Sequence, residues 1–224
     1  MNHQPHLTSG SLPQTTTGPG AFDLLETLAW YPRHGFVLID EHLARLGRSA
    51  LALGFSVDIE HTLHTLQATV VSAATPQRVR LTVDCAGRAR ATTSDMMRMR
   101  RPLRVTLSST PVSSGDAFLY HKTTNRALYE RALILGFDEV LLWNERGEVT
   151  EATTGNVVAV VHGRRMTPPV TYGLLPGTYR HALLAKRVIH EGILRKEELG
   201  AVEALWIINS VQGWRAALLE GAPG

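Results

Sequence analysis

The sequence has little cysteine, little lysine and no long apolar run, and each shortage excludes something. A single cysteine, Cys85, rules out an internal disulfide and suits a reducing compartment such as the cytoplasm. No stretch approaches the roughly 20 apolar residues that a helix needs to span a bilayer, so no membrane association is expected. Residues 1–20, MNHQPHLTSGSLPQTTTGPG, lack the apolar centre of a secretory signal and read as a disordered leader or an expression remnant. Of the 23 basic residues, only Lys122, Lys186 and Lys196 are lysine; the rest are arginine. The densest basic run, Arg98-Met-Arg-Arg101, has no interleaved aromatic residues on which bases could stack. It therefore reads as a solvated linker rather than a nucleic-acid patch. The ten histidines show neither a metal-ligand spacing nor a Ser-His-Asp arrangement, so no metal is expected. His121 reads as a structural or tuning residue rather than a ligand.

At 44% hydrophobic residues, the chain can fill the core of one or two small domains, and its net charge of +3 favours small anionic ligands. Ala21 to Trp30 reads as a strand, with a return strand from Phe36 to Ile39. Leu43, Leu46, Ala50 and Leu53 recur at helical spacing within Glu41 to Leu53, and a second helix is expected from Ile59 to Ala74. Val79 to Val83 alternates, with Arg80 and Thr82 on one face and the apolar residues on the other. Beyond the linker, strands dominate, with one clear helix expected from Tyr179 to Glu191. The pattern is α+β: a small α+β lobe over residues 21–101 and a larger β-rich lobe over 102–224, with a cleft between them.

Against so arginine-rich a background, Lys122 in His121-Lys-Thr-Thr-Asn125 stands out. A guanidinium stays protonated, whereas a desolvated lysine can lose its proton and attack a carbonyl. A solvated loop lysine is the alternative. A helix is expected just after it, capped by Thr124 or Asn125 and carrying Ala127, Leu128, Ala132 and Leu135. A strand, Glu139–Trp143, and a hairpin follow. The second arm opens on Glu151-Ala-Thr-Thr-Gly-Asn156, which would make a poor core and a plausible ligand wall. The Pro/Gly-rich stretch Thr167–Gly177 opens onto the next helix, whose free N–H groups form a ready anion site, although an ordinary loop would look the same.

Lys122-Thr-Thr-Asn-Arg126 with Tyr129, Glu151-Ala-Thr-Thr-Gly-Asn156, Thr167-Pro-Pro169 and Gly173-Leu-Leu-Pro-Gly177 occur in that order. Together they resemble the class IV aminotransferase family of pyridoxal 5'-phosphate (PLP) enzymes. Supporting stretches are Phe22–Thr27, Glu41-His-Leu-Ala-Arg-Leu46, Leu141–Glu151 and Asn209-Ser-Val-Gln-Gly-Trp-Arg215. Within the family the chain is most similar to 4-amino-4-deoxychorismate lyases, especially the form fused behind aminodeoxychorismate synthase. The match runs from about Phe22 to Ala217.

The resemblance implies a two-lobed fold-type IV enzyme, like D-amino-acid aminotransferase, with the cofactor in the cleft. It implies Lys122 as the catalytic lysine and Glu151 as partner of the ring nitrogen. Tyr129 would orient the ring oxygen. The phosphate would lie against Arg45, the amides of Thr178 and Tyr179, and Ser210. Some relatives have a threonine hydroxyl where this chain has Tyr179. Read from the residues alone, Arg45 could be a surface arginine, Tyr129 a core tyrosine and Ser210 part of a plain loop. Arg80 is the implied substrate-carboxylate contact, with Arg78 and Arg90 as rivals, and Thr27 is a polar group near the substrate. The implied reaction releases pyruvate to give 4-aminobenzoate, a folate precursor. A branched-chain or D-amino-acid aminotransferase and a non-catalytic relative are the alternatives. The resemblance also implies a small-molecule substrate, a homodimer and a functional link to aminodeoxychorismate synthase.

Overall fold

The structure, a computed structural model, describes residues 22–97 and 101–221. The expected leader, 1–20, lies outside the described residues, as does most of the expected linker. Arg101 is described, and its guanidinium is engaged by Asp138 at 2.6 and 2.8 Å.

The first lobe is a four-stranded antiparallel sheet with two helices against one face. Its strands are β1 (Leu24–Tyr31), β2 (Gly35–Phe36), β3 (Gln77–Val83) and β4 (Ala89–Asp95), in the order β2-β1-β3-β4. Leu24, Leu28, Val79, Leu81 and Val83 point from the sheet into a core completed by Leu46 and Leu66 of helices α1 (Ile39–Leu53) and α2 (Ile59–Val70). The alternation read from β3 holds: Val79, Leu81 and Val83 are buried, while Arg80 and Thr82 face the other way and are half-buried. Gly54, at φ 72°, closes α1 in the left-handed region that glycine adopts without strain. Asp58 opens α2 by accepting the His61 N–H at 2.9 Å.

The second lobe is built on a closed sheet. Its strands are β5 (Leu103–Leu107), β6 (Glu139–Trp143), β7 (Val149–Ala152), β8 (Gly155–Val161), β9 (Arg164–Thr167), β10 (His190–Glu191), β11 (Ala204–Asn209) and β12 (Gly213–Leu219). The order is β10-β9-β8-β11-β12-β5-β6-β7, and β7 pairs again with β8. That last pairing joins six strands into a ring around Leu103, Val105, Leu141, Val157, Leu205 and Ile207. Helix α3 (Ala127–Ala132) packs outside this ring through Tyr129, and α4 (Thr178–Ala185) covers another part of it through Leu183.

Four expected elements come out shorter. The return strand is only Gly35–Phe36, because Ile39 already begins α1. The second helix stops at Val70. The helix after Lys122 stops at Ala132, leaving Leu135 fully exposed, and its N-cap is Arg126 rather than Thr124 or Asn125. Helix α4 ends at Ala185 instead of running to Glu191. Arg187 turns the chain at φ 55°, and His190–Glu191 pairs with Met166–Thr167 of β9 while Ile189 is buried beside Val158 and Leu183. Local helical spacing there yields to sheet pairing and core burial.

Candidate active site

Lys122 is held where the two lobes meet. Its segment runs beside the start of β1: Leu25 N–H donates to the Lys122 carbonyl at 2.9 Å, and Thr124 N–H donates to the Asp23 carbonyl at 2.8 Å. Asp23 N–H in turn donates to Thr124 Oγ1 at 2.8 Å. The next residues enter α3 and pack on the second lobe. The side chain keeps some contact with solvent although protein surrounds it. Burial pulls its pKa down to about 8, the Arg45 and Arg126 charges pull the same way, and Glu26 and Glu151 oppose them. Lys122 is therefore far easier to deprotonate than an ordinary lysine.

On the side of the first lobe the charges form a saturated cluster. Glu26 faces inward from β1, and α1 lays two cationic or polar groups over it. Arg45 Nε donates to Glu26 Oε1 at 2.9 Å and Nη2 to Oε2 at 2.6 Å, while His42 Nδ1 lies 2.6 Å from Oε2. Arg45 Nη1 donates to the Pro176 carbonyl at 3.3 Å, which leaves two of its five N–H groups free. Burial alone would raise the Glu26 carboxyl, but Arg45 and His42 outweigh it and bring the pKa to about 2. His42 Nε2 faces two hydroxyls, Ser210 Oγ at 3.0 Å and Thr178 Oγ1 at 3.3 Å. Ser210 Oγ also lies 3.5 Å from the Thr27 carbonyl. Arg45, Thr178, Ser210 and Thr27 are thus brought together, although they are scattered along the sequence, and Arg45 is buried rather than a surface arginine.

The second-lobe side is different. Glu151 on β7 accepts the Tyr129 hydroxyl at 2.7 Å, with Asn156 Nδ2 at 3.5 Å from its other oxygen. Burial drives its pKa up to about 7, with Tyr129, a Leu175 backbone contact, Lys122 and Arg126 only partly countering it. Tyr129 is itself buried, its pKa raised by burial and by Glu151, with the Arg126 guanidinium 4.3 Å above its ring. Asn156 Nδ2 also donates to the Leu175 carbonyl at 2.9 Å, tying β8 to the loop before α4. A Cβ at position 177 would come within 2.0 Å of Asn156 Oδ1 and would displace that amide. Gly177 caps α4 without a side-chain hydrogen bond, so the N–H groups of Thr178 and Tyr179 face outward from the helix start. The Tyr179 side chain packs against the cluster of Val158, Leu183, Ile189 and Ile208.

Arg80 is half-buried and pairs across the sheet with Thr27, and its guanidinium makes no hydrogen bond or ion pair to the described residues. Its rivals differ: Arg78 is exposed, and Arg90 is exposed and lies 3.8 Å from Asp84. His121 Nδ1 lies 3.1 Å from Ser49 Oγ, and burial lowers its pKa. Among the described residues no cluster has the makings of a metal site. Two surface depressions, about 480 Å³ beside Trp206 and about 720 Å³ beside Trp30, do not include Lys122 or Glu151.

Glu26, His42, Arg126 and Asn156 join the site without having been singled out in the sequence. Two of them left a signal. Glu26 interrupts an apolar strand, and His42 precedes Arg45 by three residues, one helical turn.

A lysine that sheds its proton near neutral pH, a buried carboxyl and an anion-ready helix start, carried on this pair of sheets, fit a fold-type IV PLP-dependent enzyme. The amino-transferase class IV family model matches residues 23–218, and the chain belongs to that family. A Schizosaccharomyces pombe protein provisionally named aminodeoxychorismate lyase is 33% identical over 184 residues, covering 77% of this chain and 80% of that one. The crystal structure of a provisionally named amino-acid aminotransferase from Mesorhizobium loti is 37% identical with a TM-score of 0.84, covering 89% of this chain and all of that one. The PLP-bound form of a hypothetical aminotransferase from Mycobacterium tuberculosis shares the fold at 22% identity and a TM-score of 0.79, covering 96% and 88%. No helix among the described residues is long and apolar enough to cross a membrane.

Proposed function

We propose that this enzyme is a 4-amino-4-deoxychorismate lyase. The likeness to the Schizosaccharomyces pombe protein carries this reading, because it extends over most of both chains. The residues at the site fit PLP by their chemistry. Among the described residues Lys122 is the amine placed between the charged clusters of both lobes, and its lowered pKa suits it to hold an aldehyde. Glu151 is a carboxyl whose pKa burial raises to about 7, and a protonated ring nitrogen beside it would favour its charged form. Arg45, the Ser210 and Thr178 hydroxyls and the first amides of α4 form an anion cradle for the phosphate. Tyr129, whose hydroxyl donates to Glu151, would stand beside the ring.

When bound, PLP supplies an electron sink for the carbon that carries the substrate nitrogen. The chain supplies the rest. Glu151, once ionised, would hold a proton on the ring nitrogen. Lys122, neutral in its buried setting, would take the proton from that carbon. It would return the proton to the departing pyruvate as the substrate ring becomes aromatic. Arg80, unpaired and half-buried beside Thr27, receives a substrate carboxylate, and Thr27 offers a hydroxyl on the same face of the sheet. A homodimer, a cytoplasmic location and a working link to aminodeoxychorismate synthase complete the reading.

The Mesorhizobium loti likeness favours a second reading, amino-acid transamination by the same Lys122 and Glu151. The PLP-loaded protein should release pyruvate from aminodeoxychorismate and make no glutamate from branched-chain or D-amino acids with 2-oxoglutarate. Glutamate without pyruvate would replace the lyase by a transaminase.

A further inference from the structure

The hairpin that presents Glu151 and Asn156 turns at Thr153-Thr154, and that turn is tied down from four directions. Glu139 of β6 is 2% exposed. Its Oε2 accepts Thr153 Oγ1 at 2.5 Å and Thr154 N–H at 2.9 Å, and its Oε1 accepts the Thr154 hydroxyl in a very short contact. Arg215 Nη2 of β12 donates to Glu139 Oε1 at 2.8 Å and to Thr154 Oγ1 at 3.0 Å. Arg126 Nη2 donates to the Thr153 carbonyl at 2.5 Å, and Asn209 Nδ2 donates to the Thr154 carbonyl at 3.3 Å. Asn209 immediately precedes Ser210, and its Oδ1 accepts the N–H groups of Val211 and Gln212 at 3.1 and 2.8 Å.

An ion pair with a buried carboxylate and a largely covered guanidinium is expensive to desolvate and a poor means of gaining stability, so its presence beneath a two-threonine turn calls for another use. One network grips the turn below Glu151 and the turn carrying Ser210. We propose that Glu139 and Arg215 are positioning residues that fix the Glu151 carboxylate relative to the Ser210 turn, and so set the ring-nitrogen contact against the phosphate anchor. This rests on the reading of Glu151 as the ring-nitrogen partner. Neither residue touches the ligand. They act through Thr153 and Thr154, which are two and three residues from Glu151.

The test is equilibrium binding, read by fluorescence quenching, of PLP and of its carbocyclic analogue in which C–H replaces the ring nitrogen. Phosphate anchoring and the bond to Lys122 are open to both ligands, so the change in their affinity ratio from wild type to variant reports the contact at the ring nitrogen. Wild type should prefer PLP by about ten- to a hundredfold, the worth of a hydrogen bond to a charged group. Glu151→Gln should remove most of that preference. Glu139→Gln and the milder Thr154→Val should bring the ratio to within about threefold while still binding both ligands. A lowered thermal midpoint with the wild-type ratio intact in both variants would make the network merely structural and overturn the proposal. If Glu151→Gln loses the preference and these two keep it, the proposal alone fails. If wild type shows no preference, the role of Glu151 fails with it.

Discussion

Two buried glutamates face Lys122 from opposite lobes, and they have been treated in opposite ways. Glu26 has Arg45 and His42 within 2.6–2.9 Å and is held near a pKa of about 2. Glu151 has a phenol and an amide as hydrogen-bond partners and rises to about 7. Burial raises both carboxyls; the Arg45 guanidinium and the His42 ring in direct contact with Glu26 make the difference. The Glu26 cluster is complete in the protein alone and works as a scaffold for the anion cradle. The Glu151 carboxyl has no cation in direct contact, and in the proposed reading a cofactor with a basic ring nitrogen would supply one. Burial leaves Lys122 between them at about 8, close enough to neutral pH to exchange its proton.

Breaking the saturated side should have the largest effect. Glu26→Gln leaves the Arg45 guanidinium buried without its counter-charge and should destabilise the cofactor-free protein by about 3–5 kcal/mol in urea denaturation. The stabilisation from Glu26 is present above the pKa of the unfolded carboxyl and is lost as pH falls toward about 2. The same change at the other glutamate should act in the opposite sense. A carboxyl whose folded pKa is raised to about 7 favours the folded state less and less as pH rises toward that value. Glu151→Gln should therefore stabilise the cofactor-free protein at pH 9 by on the order of 1–3 kcal/mol relative to its effect at pH 5. Thermal denaturation at the two pH values checks this, and a loss at pH 9 would erase the contrast. Tyr129→Phe sharpens it further by removing a hydrogen bond that lowers the Glu151 pKa. It should cost about 1–2 kcal/mol or less. It should also shift the pH below which PLP affinity declines upward from about 7, as read by titration across pH.

Much of this was legible in the sequence, for reasons that differ by residue. Lys122 was conspicuous because lysine is scarce, and Arg45, Glu151 and the Gly173–Gly177 loop lie in short local motifs. The apolar alternation of β3 needed no long-range knowledge either. The Glu26–His42–Ser210 chain was not legible, since α1 must pack on β1 and the two lobes must meet before those groups touch. The six-strand ring depends on β7 pairing with β8 as well as β6, which no local pattern announces. Arg187 and Ile189 defeat the longer α4 for the same reason: an edge pairing with β9 and a buried isoleucine outweigh helical spacing. Glu139 read as an ordinary strand residue, because its partners lie on β12 and in the Thr153-Thr154 turn.

The scarcity of lysine also makes the central claim easy to test. Protein incubated with PLP, reduced with borohydride and digested should carry a pyridoxyl group on one peptide, the one containing Lys122, as read by mass spectrometry. A pyridoxyl group on Lys186 or Lys196 with Lys122 unmodified, or no labelled peptide at all, would contradict the account.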